Sequence, residues 1–223
     1  MGVSERRQRE KELRRESIVD AAERVFVRDG YEASTMDHVS SEAEVSKGTL
    51  YLYFQNKDEL RAAIGERWVS RLIDRLRPRL ASARSGLDGV RAVLHSYHEH
   101  FQRKPDHCRL TLAWVSNPPD ASCCGESFAA HRARVQELVG MVVETIERGR
   151  EDGSIRRDVE PPLVALQLWG GFLGVWMLAM NGMQVQGKLP APVDLDALIP
   201  AFHETVLRGL AGPAAAALAE AGE

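Results

Sequence analysis

The chain has 223 residues, 44% of them hydrophobic and 27% charged, enough to bury a sizeable core in one large domain or two small ones. A formal charge of −3 excludes a protein that coats nucleic acid through bulk positive charge, so any contact with a polyanion must come from locally placed cations. Three cysteines (Cys108, Cys123 and Cys124) are too few for a disulfide scaffold, and the N-terminus carries charges where a signal peptide needs an apolar run; a reducing cytoplasm fits both.

Residues 1–15 set Arg6, Arg7, Arg9, Lys11, Arg14 and Arg15 against Glu5, Glu10 and Glu12, a basic N-terminal arm. Taken alone, such a run reads most simply as a solvated helix end. From Leu13 the pattern becomes helical, with Ile18, Ala21, Ala22, Val25 and Phe26 on one face, and Gly30 stops it. Three helix starts then follow closely. Thr35 precedes a Met36/Val39/Ala43 stripe, Ser46 precedes Leu50/Phe54, and Asn56 precedes Leu60. Each offers a short polar side chain to the free N–H groups of the next turn, and Asn56 with Glu59 has the offset of a capping box. Short helices over Met36–Glu44 and Lys47–Gln55 are unstable alone and must pack on the first helix. Short helix, turn, short helix is the shape that fits a DNA major groove.

Asn56 opens a long helix through Leu60, Ile64, Trp68, Leu72 and Leu76 that runs to about Pro78 or a few residues beyond, and Arg77–Gly89 reads as a turn. Further helices are expected over Leu87–Arg103, His107–Ser116, Gly125–Asp152, Pro161–Gln184 and Asp194–Gly209, separated by Pro105, the 117–124 loop, Gly153 and the 187–192 stretch. No stretch alternates as a strand does, so the fold class is all-α. Leu163–Met180 carries no charge and has the length of a membrane span. Gln167, three glycines, the lack of a basic flank and the absence of a second such segment favour a helix buried between protein surfaces.

In SKGTLYLYFQNK the residue types suit a DNA reader. Lys47 and Lys57 can neutralise phosphates, Tyr51 and Tyr53 end in hydroxyl donors, Gly48 permits close backbone approach, and Thr49 is short enough to touch a base edge. The two tyrosines lie roughly 200° apart on a helix, so both cannot lie on one groove wall.

These residues closely resemble the tetracycline-repressor (TetR) family of bacterial transcription regulators. The match runs through Ala21, Ala22, Phe26, Gly30, Thr35, Val39, Ala43, Val45, Ser46, Gly48, Thr49, Leu50, Tyr51, Phe54, Lys57 and Leu60. The resemblance implies a three-helix DNA-binding domain over 16–60 and a ligand-binding and dimerisation domain over 61–212, and the Ala-rich stretch at 213–223 reads as a flexible tail. It also implies a cytoplasmic homodimer that binds a palindromic double-stranded DNA operator and represses a gene until a small molecule binds. Thr35, Ser46, Lys47, Gly48, Thr49, Tyr51, Tyr53 and Lys57 are the expected DNA-binding residues. Two positions depart from the family: Glu44 stands where the turn usually has Gly, and Ser40 where Ala is usual. Glu44 is expected to take a left-handed conformation or to alter the turn, and Asp37 and Glu42 place negative charge near the duplex.

In the second half, Gly170 and Gly174 lie four apart with Gly171 between them, a spacing that lets helices approach closely. The family makes its dimer interface from its last two helices. Here Gly170 and Gly174 would meet Leu198, Phe202 and Val206, the last helix also offering Leu195 and Leu210; packing of the glycines within the chain is the rival. Candidate ligand-pocket walls are Tyr97, Phe101, Trp114, Trp169, Phe172 and Trp176, which suit a largely apolar organic effector. His95, His98, His100, His107 and His131 cluster with the cysteines, which keeps a metal- or redox-responsive regulator as an alternative. No paired CxxC or HExxH occurs, so neither a metal nor another cofactor is assigned. No nucleophile motif, phosphate loop or apolar carboxylate pair supports an enzyme, and a helical enzyme or binding module with a vestigial helix-turn-helix is the weaker rival.

Overall fold

The computed structural model describes residues 2–119, 125–180, 194 and 196–212. Nine helices are described: α1 (Val3–Asp29), α2 (Met36–Glu42), α3 (Lys47–Tyr53), α4 (Lys57–Ser82), α5 (Gly86–Arg103), α6 (Pro105–Ser116), α7 (Glu126–Glu151), α8 (Pro161–Met180) and α9 (Leu198–Leu210). Among the described residues there is no strand, only an isolated bridge between Ile155 and Ala211. The fold is therefore all-α. It divides into two compact units, residues 1–70 with 109–135 and residues 71–108 with 136–223, so that α4, α6 and α7 each contribute to both.

In the first unit the Ile18/Ala22/Val25/Phe26 face of α1 packs on Val39 of α2, Leu50 and Phe54 of α3, and Leu60 and Ile64 of α4, with Leu110 of α6 closing the core. Phe26, Leu50 and Phe54 are almost wholly buried, so truncating any one to Ala would cost on the order of 3 kcal/mol. The caps stand where the sequence puts them. Thr35 accepts from His38 N, Ser46 from Thr49 N and Asn56 from Glu59 N. The returning half of the Asn56 box is shifted by one residue, because the Glu59 carboxylate accepts from Gln55 N at 2.8 Å. Glu44 adopts φ 52, the left-handed conformation expected of it.

Charged side chains tie these short helices together. Glu42 at the end of α2 accepts from Arg24 (2.7 Å) and Arg28 (3.0 Å) of α1. On α4, Arg67 reaches Asp20 at 2.5 Å and also contacts Glu23 and Glu16 of α1. The two seven-residue helices are too short to persist alone and depend on the shared core, which the Glu42 clamp supplements for α2.

In the second unit α9 packs on α8 and α5. The α5–α7 contact is close enough that a Cβ on Gly86 would stand 2.1 Å from Gly149 N, so only glycine fits there. Gly86 N and Leu87 N donate to Asp152 Oδ2 and Ser154 Oγ just beyond α7.

Several expected boundaries move. The turn expected over Arg77–Gly89 shrinks to residues 83–85, because α4 continues through Pro78 to Ser82. Proline forfeits one helical hydrogen bond there, but the next residue, Arg79, is pinned to α5 by Ser96 (3.0 Å) and bidentately by Glu99 (3.1 and 2.8 Å). The last helix begins at Leu198, not Asp194, whose side chain instead accepts from Asp196 N in a local turn. The end of α8 expected at Gln184, Leu195 and the 213–223 tail lie outside the described residues.

Candidate nucleic-acid interface

The reader helix α3 divides its residues cleanly. Leu50 points into the core, whereas Ser46, Lys47, Gly48, Tyr51 and Leu52 are exposed and Thr49 is half-buried. Tyr51 is 49% exposed; Tyr53 is half-buried against the core cluster, so the roughly 200° between them separates an outward from an inward tyrosine. A Cβ on Gly48 would meet only Ser46 Oγ, at 3.9 Å, so no packing within the chain demands glycine there. The space in front of it is free for a phosphate or a sugar.

Charge around the reader is locally balanced. Lys47 Nζ stands 2.6 Å from Asp37 Oδ2, and the Arg24 and Arg28 guanidiniums hold the Glu42 carboxyl below its usual range. Both acidic residues flagged by the sequence are thus paired with cations. Thr35, at the start of α2, is exposed and caps its helix. Lys57 is placed differently from the other lysine. Its ammonium donates to the carbonyls of Tyr31 (2.6 Å), Ser34 (3.0 Å) and Glu32 (3.3 Å) and sits over the Tyr31 ring.

Two residues escaped the sequence reading. Leu52 is 83% exposed beside Tyr51, an apolar side chain with no core to face; its position off the Leu50/Phe54 stripe was the available signal. Arg61 is only 5% exposed, with its guanidinium 4.0 Å from the Tyr31 ring centroid and 4.6 Å from that of Trp114. It also donates to Asp58 and to the Asn117 carbonyl, while Tyr31 OH donates to the same Asp58 carboxylate. Nothing in the local pattern marks this arginine, one turn into α4, as buried.

Of the six candidate pocket residues, four meet in the second unit. Tyr97 and Phe101 of α5 lie 5.7 and 5.8 Å from Phe172 of α8, and Phe101 lies 6.0 Å from Trp176. His98 and His203 border this group, and burial holds His98 below its ordinary range and pushes His203 down to about 4. Trp176 Nε1 and His203 Nε2 are buried without a hydrogen-bond partner. Trp114 lies in the first unit, against Arg61, Phe128 and His131. Trp169 is 39% exposed on α8. Among the described residues no three His, Cys, Asp or Glu side chains are arranged to hold a metal ion; Cys108 is buried, and Cys123 and Cys124 lie outside the described residues.

The three α8 glycines differ in their surroundings. A Cβ on Gly171 would stand 3.1 Å from the Phe202 ring, whereas one on Gly170 or Gly174 would meet nothing within 4 Å. Around these two the helix exposes Leu163, Leu166, Met177 and Leu178. Phe202 and Val206 of α9 are half-buried, as is Leu198. The helix α8 is long and apolar enough to cross a membrane by length and composition, and a third of its apolar window is buried within the chain.

A capped two-helix reader held on a third helix, with a polar and aromatic outer face, is the DNA-binding module of a helix-turn-helix transcription regulator. Residues 18–64 match the profile of bacterial regulatory proteins of the tetR family, which identifies this N-terminal segment as a DNA-binding domain of the TetR type. It is 29% identical over 181 residues to the HTH-type transcriptional activator FasR of Mycolicibacterium smegmatis, covering 71% of this chain and 82% of that one. It is 36% identical over 88 residues, 40% of this chain and 43% of the relative, to the nicotine-responsive transcriptional repressor HdnoR of Paenarthrobacter nicotinovorans. Its fold matches that of the regulator FadR from Bacillus subtilis, solved in complex with stearoyl-CoA, with a TM-score of 0.66 at 19% identity over 87% of this chain and 98% of that one.

Proposed function

We propose that this chain is a cytoplasmic, ligand-responsive repressor that binds a palindromic operator as a homodimer and is released by a small, largely apolar organic effector. The observation that carries the DNA-binding half is the outer face of α3, where Lys47, Gly48, Tyr51 and Leu52 are exposed on a helix fixed by its Ser46 cap and its Leu50 anchor. Lys47, Thr35 and Ser46 would address phosphates; Thr49, Tyr51 and Leu52 would meet base edges and thymine methyls. Tyr53 would stand at the groove edge. Lys57 would act chiefly by fixing the loop before α2.

The open stripe of α8 supports a dimer. Gly170 and Gly174 leave a shallow channel between exposed leucines, which a second copy of α8 would fill with α9 residues Leu198, Phe202 and Val206 beside it. Paired readers would then address half-sites about 34–36 Å apart. The same stripe accounts for the apolarity of α8 without a membrane.

The Tyr97/Phe101/Phe172/Trp176 cluster supports an apolar effector, and the unpartnered Trp176 Nε1–H adds a donor for one acceptor oxygen on it. A fold neighbour solved in complex with stearoyl-CoA and a relative named as a nicotine-responsive repressor are consistent with organic effectors on this fold. Ligand binding that favours another half-site spacing would lower operator affinity; no catalytic step is required.

The test is selection of a duplex from a random-sequence library by the purified chain. A palindromic product bound by two copies is expected, with Tyr51→Ala losing binding while remaining dimeric, and with stearoyl-CoA as the first effector probe. A chain that enriches no sequence, or a Tyr51→Ala variant that binds as the parent does, refutes the assignment.

A further inference from the structure

Resting on the DNA-binding reading above, we infer that the N-terminal extension of α1 is a second DNA-contacting element, a rigid basic stripe that follows the phosphate backbone beside the reader. The sequence shows only a mixed run of charges; the continuous helix sorts them. The helix α1 extends unbroken from Val3 to Asp29, and every residue from Ser4 to Arg14 is exposed, so this part projects beyond the core that begins at Ile18.

On a helix of 3.6 residues per turn, Arg7, Lys11 and Arg14 fall within about 40° of the direction of Ile18. That is the direction in which α1 packs on the reader unit. Glu5, Glu12 and Glu16 fall about 120–160° away, on the opposite side, and Glu10, on the flank about 80° away, is taken by Arg6. The face that is apolar inside the unit therefore becomes cationic where the helix leaves it.

The stripe is uncompensated. Arg6 is paired with Glu10 at 2.9 Å, but Arg7, Lys11 and Arg14 make no hydrogen bond or ion pair among the described residues. A helix stabilised by its own charges would interleave the signs at i, i+4. Here the free cations are segregated, which costs self-repulsion unless a polyanion covers them. The stripe also starts beside the reader: the Arg15 guanidinium stands 5.3 Å from the centroid of Phe54, the residue that ends α3. From there the helix extends by about 1.5 Å per residue, so Arg14, Lys11 and Arg7 are spaced to meet successive phosphates. With a chain charge of −3, these cations supply local attraction that the whole molecule lacks.

The experiment compares two variants of equal charge in the full chain, Arg7→Gln with Lys11→Gln on the stripe and Arg6→Gln with Arg9→Gln off it. Binding to the duplex selected by the parent is measured from 50 to 200 mM salt, with helicity and oligomeric state checked by circular dichroism and sedimentation. Loss of two phosphate contacts makes the slope of log K against log salt shallower by about 1.8 per subunit. The off-stripe variant is expected to keep the parental slope. An unchanged slope in the stripe variant, or equal changes in both, overturns the inference while leaving the reader intact. A parent chain that binds no duplex overturns the proposed function and this inference with it.

Discussion

The Lys57 ammonium donates to the backbone carbonyl of Tyr31 at 2.6 Å and lies 4.3 Å from the centroid of the same residue's ring. With Ser34 and Glu32 carbonyls taking its other donors, it organises the loop between α1 and α2 from the first turn of α4. We expect Lys57→Met to destabilise the chain by roughly 2 kcal/mol in urea unfolding, the scale of lost charge-assisted hydrogen bonds. A lysine acting on phosphate alone would leave the unfolding midpoint unchanged and lower the salt slope by about 0.9.

Glu44 carries φ 52 at the turn between α2 and α3. A side chain in this conformation costs about 1 kcal/mol relative to glycine, which adopts it freely. Glu44→Gly should therefore raise stability by up to about 1 kcal/mol, part of it offset by the greater chain entropy of unfolded glycine. It also removes a carboxylate from the reader turn, so DNA affinity should rise with it. A lower urea midpoint would show that Glu44 makes a compensating contact.

The glycines of α8 should separate folding from assembly. Gly171→Val would drive its side chain into the Phe202 ring, already 3.1 Å from a bare Cβ, and is expected to lower the melting temperature. Gly174→Glu meets nothing in its own chain and is expected to leave the monomer folded while abolishing the dimer in sedimentation. A dimer that survives Gly174→Glu places the interface elsewhere.

Acid should weaken the second unit before carboxylates titrate. Burial pushes His203 down to about 4, with His95 and His98 adding repulsion, and pushes His100 down to about 3, with His107, Arg75 and Arg71 adding theirs. An unfolded histidine takes its proton near pH 6.5, so over this range the unfolded chain binds more protons than the folded one. Stability is then full above about pH 6.5 and falls toward pH 4, by up to about 1.4 kcal/mol per pH unit for each group. Urea midpoints at pH 7.5, 6 and 5 should show the decline, and His203→Gln should make it shallower. A parent midpoint constant across this range would contradict the buried, neutral state of these rings.

By itself the sequence determined the reader. Its caps at Thr35, Ser46 and Asn56 and the Ile18–Phe26 stripe are local features, set by side chains acting on backbone within a turn or two of themselves. The all-α class was legible for the same reason, because helical periodicity is written into consecutive residues. Tertiary structure decided what depends on residues distant in the chain. It tied the end of α4 to α5 through Arg79 and Glu99, turned Lys57 toward carbonyls and buried Arg61 between Tyr31 and Trp114. It also distinguished Gly171, set against Phe202, from Gly170 and Gly174, which face open space. Composition places an arginine or a glycine on a helix face, but only the partner brought there by folding decides whether that face is core, clamp or free surface.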